Sequence, residues 1–172
     1  MLRLHPHPDC TPPSIAIEAE AVREGSDGLR LHYVVSGDVG SLLLPAPAPP
    51  VRADGLWQHS CFEAFVLAGE GPGYHEINLS PSSAWAAYAF AAYREGMENA
   101  AIPPPAVETS GTRARFELTA RISGLPSGDW RLNLSAVIET CEGSKSWWAL
   151  AHPPGRADFH NSAAFRLSLP AA

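Results

Sequence analysis

Apolar and polar residues alternate with period two along most of this 172-residue chain. Side chains on a β-strand point to opposite faces in turn, so such alternation predicts half-buried strands. Ile15, Ile17, Ala19 and Ala21 alternate with Ser14, Ala16, Glu18 and Glu20. A hairpin turn at 25–28 follows, and then Leu29, Leu31, Tyr33 and Val35 alternate with Arg30, His32 and Val34. The prolines of 45–50 exclude a central strand there. The stretch 55–90 then reads as three consecutive strands. In the first, Phe62, Ala64 and Val66 face one way and His59, Cys61, Glu63 and Phe65 the other; in the second, Ile77 and Leu79 oppose Tyr74, Glu76 and Asn78. Residues 85–90 read as the third, although their alanines would also suit a short helix. After a proline-ended loop at 92–105, Ala114, Phe116, Leu118, Ala120 and Ile122 form an inward face, and Trp130, Leu132, Leu134, Ala136 and Ile138 form another. A strand at 145–150 carries Trp147 and Trp148, and Phe165, Leu167 and Leu169 mark the last one.

Roughly nine or ten short strands punctuated by turns predict an all-β, antiparallel β-sandwich of jelly-roll-like form. The seventeen prolines and fourteen glycines are spread between short apolar runs, which supports that class and leaves no room for a long helix. Residues 1–13, with four prolines, read as an N-terminal leader, and 14–172 as a single ligand-binding domain. A net charge of −6 without any basic run excludes the clustered Lys and Arg that nucleic-acid phosphates need. The N-terminus has no long apolar stretch, so neither a signal peptide nor a membrane span is expected. Cys10, Cys61 and Cys141 are odd in number and lack metal-type spacing; free thiols in a reducing cytoplasm are the expectation.

The face opposite the core is where chemistry would sit. Glu63, Glu76, Asn78, Arg115, Glu117, Arg121, Arg131, Asn133 and Glu139 fall on it. One reading is a solvated sheet face crossed by weak ion pairs. The other is a concave site lined with hydrogen-bonding groups and rimmed by tryptophans, for which Trp57, Trp85 and one of Trp147 and Trp148 are the candidates. Glu63 stands mid-strand, and Arg115 and Arg131 are its available partners. A triad within 59–63 is excluded, because neighbours at i and i+2 lie about 6.6 Å apart along a strand, beyond the reach of a nucleophile and its base. His59, His152 and His160 could converge with Glu63 or Asp158, but their spacing matches no short zinc motif. Glu63 and Glu76 could act as paired carboxylates in a hydrolase.

Three pieces carry a family resemblance. LWQHSCFEAFV has a Trp followed six residues on by Glu. YHEINLSPSSAW ends a strand in Asn and a small-residue turn. SWWALAHP is followed by DFHNSAAFRLSL. Over residues 14–169 this order resembles the family-9 carbohydrate-binding module and DOMON-like ligand-binding domains, and bacterial DOMON-like proteins in particular. The resemblance implies a β-sandwich that stacks a sugar between two tryptophans and hydrogen-bonds its hydroxyls. Trp57, Glu63 and Asn78 match that pattern, with Trp147 or Trp148 as the second platform. Glu76 departs from it, standing where sugar binders tend to carry a basic residue. Haem-binding DOMON members use a Met and a His; beyond the initiator only Met97, in a loop, is available, so no haem is expected.

The resulting expectation is a cytoplasmic, non-catalytic domain that binds a saccharide or other small polar ligand, without metal or cofactor. Its candidate ligand residues are Trp57, His59, Glu63, Glu76, Asn78, Arg115, Arg131, Asn133, Trp147, Trp148, His152 and His160. A hydrolase or metal-assisted enzyme using His59, Glu63 and His152 or His160 is the second reading. A protein-interaction sandwich is the third.

Overall fold

The structure, a computed structural model, describes residues 1–172. The alternating runs become twelve strands: β1 (Leu2–Pro6), β2 (Ile15–Glu24), β3 (Gly28–Gly37), β4 (Cys61–Ala68), β5 (Tyr74–Leu79), β6 (Trp85–Phe90), β7 (Glu98–Asn99), β8 (Ala106–Gly111), β9 (Arg115–Ile122), β10 (Trp130–Glu139), β11 (Lys145–Ala149) and β12 (Leu167–Leu169). All the ladders are antiparallel. The helical pieces are three-residue 3-10 turns, and no helix is long and apolar enough to cross a membrane.

The strands form two layers of a sandwich. One runs β1-β2-β3-β9-β8 and the other β7-β6-β5-β4-β10-β11-β1, with β12 on the far end of β10. β1 belongs to both. Its Leu2–Leu4 half pairs with β2, and its His5–Pro6 half pairs with β11. The segment expected to be a leader is therefore a strand at the seam, because Leu4 alternates with Arg3 and His5 and is fully buried.

The inward faces meet in a core that includes Ile17, Leu31, Tyr33, Phe116 and Leu118 from one layer and Phe62, Ile77, Trp130, Leu134 and Trp148 from the other. These are the sets that alternation marks as inward. Each large apolar side chain so buried contributes about 1.5–3 kcal/mol. Trp130 is fully buried with its polar end satisfied, as Nε1–H donates to the Pro126 carbonyl at 2.7 Å. Trp85 also packs into this core and is not at a rim.

The two outer faces differ. That of the β2-β3-β9 layer carries partly exposed ion pairs, Arg30 with Glu20 and Glu24, Arg121 with Glu24, and Arg115 with Glu117 at 2.6 Å. This is the solvated face, worth little to stability. The outer face of the β5-β4-β10 layer is instead covered. Phe65, Leu67, Tyr74, Phe90 and Val137 pack under Phe159, Ala164 and Phe165, which come from the segment between β11 and β12. Phe165 is thus part of this cover, and β12 begins only at Leu167. β7 and β8 were not expected, since both are short or half-exposed edge strands without an apolar stripe.

Candidate functional site

Register fixes which side chains share the covered face. In antiparallel ladders, paired residues point to the same side. Glu63 pairs with Asn78 on β5 and with Ser135 on β10, and Asn78 in turn pairs with Ala86 on β6. One step along, Glu76 pairs with Phe65 and Tyr88. Beyond Glu63 in the other direction lie Cys61, Val137 and Trp147. Glu63 and Glu76 are therefore diagonal neighbours, about 7–8 Å apart between α-carbons in such a ladder.

Above this face lies a cavity of about 860 Å³. Glu63, Glu76 and Val137 line its floor, and Tyr88, Phe90, Phe159 and His160 form aromatic walls. Trp57 and Trp147, two of the few large apolar side chains left exposed (54% and 37%), border the same space. Trp57 is delivered by the loop after Pro50. Val51 and Ala53 hydrogen-bond to both sides of Trp85 at the start of β6, which docks that loop on the sheet. Gly55, at φ 74, then turns the chain into the 3-10 turn Leu56–Gln58; this left-handed conformation favours glycine.

The two floor carboxylates are unusual in their environment. Glu63 is 2% exposed, and its Oε1 is buried without a hydrogen-bond partner. Burial, and then the neighbouring Glu76 charge, push its pKa well above the ordinary 4.5. Ser135 faces it and lowers it in part, although the Ser135 hydroxyl lies outside hydrogen-bond geometry. Tyr33 reaches through from the core and donates to the Glu63 backbone carbonyl at 2.6 Å, which pins the strand but leaves the carboxylate untouched. Burial also raises Glu76, opposed by the Asn78 side-chain amide, which donates to its Oε1 at 2.8 Å, and by Arg94.

Around this floor Asp54, Tyr88, Arg94 and His160 are engaged in hydrogen bonds. Asp54 accepts from Arg52 at 3.2 Å and from the Tyr88 hydroxyl at 2.7 Å. Burial and that bond raise the phenol to about 12. Arg94 pairs with Asp158 at 2.8 Å, and Tyr93 donates to the other oxygen of the same carboxylate at 2.6 Å. Arg94 holds a left-handed backbone, φ 55, costly for a residue with a Cβ. Its N–H donates to the Tyr74 hydroxyl at 3.2 Å. His160 Nδ1 lies 2.8 Å from that hydroxyl, and its Nε2 lies 3.7 Å from Glu76 Oε2. Burial, and then Arg94, lower the imidazole to about 4, so at neutral pH it is uncharged and does not balance Glu76.

Of the residues expected to bind ligand, the structure brings Trp57, Glu63, Glu76, Trp147 and His160 together on the cavity. Asn78 sits fully buried beneath it as the clamp on Glu76. Asn133 is also fully buried; its amide donates to the Phe159 carbonyl at 3.1 Å and holds the cover down. Trp148 points into the core, whereas its neighbour Trp147 borders the cavity. Arg115 lies on the outer face of the other layer, paired with Glu117. Arg131 sits opposite Leu67, four residues or about 13 Å along β10 from Ser135, and is exposed. No arginine pairs with Glu63, contrary to expectation. His59 is outside the cavity lining, its Nδ1 2.7 Å from Glu139 Oε2. His152 packs edge-on against His7, with Nε2 2.8 Å from the His5 carbonyl. The three histidines thus have separate partners and do not converge. Burial, with Glu63 next, raises the Cys61 thiol well above its usual range and keeps it protonated, which removes it as a nucleophile.

Asp54, Tyr88, Arg94, Asn99 and Phe159 also line the cavity, as does Met97, and were not among the expected residues. Tyr88 was within reach, since alternation in 85–90 puts Ala86, Tyr88 and Phe90 on one face. Asn99 comes from the two-residue edge strand β7 and the others from loops, whose docking has no periodic signal.

No family model matches the chain, and no curated protein matches it. Among solved structures, the fold is similar to that of a candidate carbohydrate-binding protein from Bacteroides uniformis, with 16% identity, 88% of this chain and 76% of that chain covered, and a TM-score of 0.61. It is also similar to a carbohydrate-binding module of family 9 from Caldicellulosiruptor kristjanssonii in complex with cellotriose, with 11% identity, 90% and 74% covered, and a TM-score of 0.54. A second structure of a family-9 module from that organism, in complex with glucose, gives 10% identity, 84% and 71% covered, and a TM-score of 0.50. At these identities the likeness establishes the fold: a β-sandwich like that of family-9 carbohydrate-binding modules.

Proposed function

We propose that this chain is a non-catalytic binding domain for a saccharide, held in the cavity between Trp57, Trp147 and the Glu63–Glu76 floor. The observation that carries this reading is the joint placement of two exposed indoles and two buried carboxylates around one cavity. Flat aromatic faces suit the apolar face of a pyranose, and carboxyl oxygens accept hydrogen bonds from its hydroxyls. The cavity volume falls within the roughly 300–1,000 Å³ of small-molecule sites. The shared fold with modules solved with cellotriose and with glucose supports the same class of ligand.

The carboxylate pair also favours a second reading, a glycoside hydrolase. Such enzymes need one acid kept protonated and one carboxylate kept ionised. Burial raises both carboxyls, Glu63 well above its ordinary range and Glu76 against the Asn78 bond and the Arg94 charge, while the shared fold with modules solved with saccharides favours binding. Titration with a panel of mono- and disaccharides, followed by tryptophan fluorescence, tests the proposal. Saturable quenching or enhancement that Trp57→Ala abolishes is expected. Release of sugar from nitrophenyl glycosides by the purified protein would favour the hydrolase instead.

A further inference from the structure

Charge around the cavity does not balance. Asp54 is matched by Arg52, and Asp158 by Arg94. Glu63 and Glu76 remain, and nothing cationic is left for them. His160, nearest to Glu76, is neutral at pH 7, and Arg94 is already committed to Asp158. On the Glu63 side stand the neutral Cys61 thiol, the Asn78 amide and the Ser135 hydroxyl. Glu63 itself lines the cavity although it is only 2% exposed, and its Oε1 is buried without any donor.

Two carboxylates this close in a dry floor cannot both ionise cheaply. A sugar hydroxyl supplies one donor and no charge. An ammonium supplies three donors, accepts none, and neutralises the floor at the same time. The aromatic walls of Trp57, Trp147, Tyr88 and Phe159 are also favourable to a cation.

We propose that the ligand of this cavity carries an ammonium group seated on Glu63 and Glu76, an amino sugar being the class that also fits the two exposed indoles. This rests on the saccharide reading above for the sugar ring, and on the unbalanced carboxylates for the amine.

Calorimetric titration with glucosamine, glucose, N-acetylglucosamine and cyclohexylamine tests it. Glucosamine is expected to bind about tenfold or more tightly than glucose or N-acetylglucosamine, the gain from a hydrogen bond to a charged group. Its affinity is expected to rise with pH as the floor, its carboxyls raised by burial, loses its proton, while the affinity for glucose does not rise. Glu63→Gln and Glu76→Gln, each checked for folding by circular dichroism, are expected to erase the preference for the amine. The pH dependence of the unmodified protein stands as evidence even where a variant misfolds. Equal affinity for glucose and glucosamine overturns the ammonium and leaves the saccharide reading in place. Binding of cyclohexylamine without any sugar keeps the ammonium and overturns the saccharide. Binding of none of the four overturns both.

Discussion

The Asn78 side-chain amide donates to Glu76 Oε1 at 2.8 Å, two residues along the same strand and beneath the cavity floor. Asn78 is fully buried, and its carbonyl oxygen faces the Cys61 thiol at 3.9 Å. The amide therefore orients one carboxylate of the pair and has no solvent to turn to. Asn78→Ala is expected to destabilise the fold by about 1–3 kcal/mol, the cost of stranding a buried polar group, and to weaken ligand binding. Asn78→Asp is expected to cost more, because it adds a third acid to the floor. Chemical denaturation of both variants checks the order.

Glu63 has no arginine partner, so its removal has the opposite sign from the loss of an ion pair. Below about pH 4.5 the carboxyl is protonated in folded and unfolded chains alike. As pH rises, the unfolded chain releases the proton first, so stability falls as pH rises through the elevated native value. The lowered His160 works the other way, its contribution being lost as pH falls from 6.5 towards about 4. The difference between the unmodified protein and Glu63→Gln cancels that histidine. Glu63→Gln is expected to melt higher at neutral pH, with the advantage shrinking towards pH 4.5. A variant that melts lower at neutral pH would contradict the absence of a charged partner.

His160 is placed by Tyr74 and by packing against Phe65, ring centroids 5.0 Å apart. Its titration followed by NMR of the ring signals is expected to centre near 4. A midpoint near the ordinary 6.5 would mean that the cover over the floor opens to solvent.

Much of the sandwich was legible because strand alternation writes burial directly into the chain. The inward sets on 29–35, 62–66, 116–122 and 130–138 are the core residues observed. The floor was legible for the same reason, since Glu63, Glu76 and Asn78 follow from period two. Partners across the sheet were not, because alternation gives a face and not a register. Arg115 and Glu63 both point away from the core, but of different layers. Arg94, Asp54 and Phe159 were illegible because loops carry no period, and their positions depend on long-range bonds such as Asn133 to Phe159.

The adjacent tryptophans of β11 separate packing from binding. Trp148, in the core with Nε1–H donating to Ser146 at 2.9 Å, is expected to cost about 3–5 kcal/mol when changed to Ala. Trp147→Ala is expected to cost about 1 kcal/mol or less, yet to reduce saccharide affinity. Thermal melts and fluorescence titrations on both variants measure the two effects separately.

The cavity assignment is tested most directly by the indole N–H signals of the five tryptophans in a nitrogen–proton NMR titration with saccharides. Trp57 and Trp147 border the cavity, while Trp85, Trp130 and Trp148 lie in the core. The account predicts that a binding saccharide moves the Trp57 and Trp147 signals in a saturable way and leaves the other three in place. Saturable shifts confined to the core tryptophans, or no shift at any of the five across amino and neutral sugars, would contradict it.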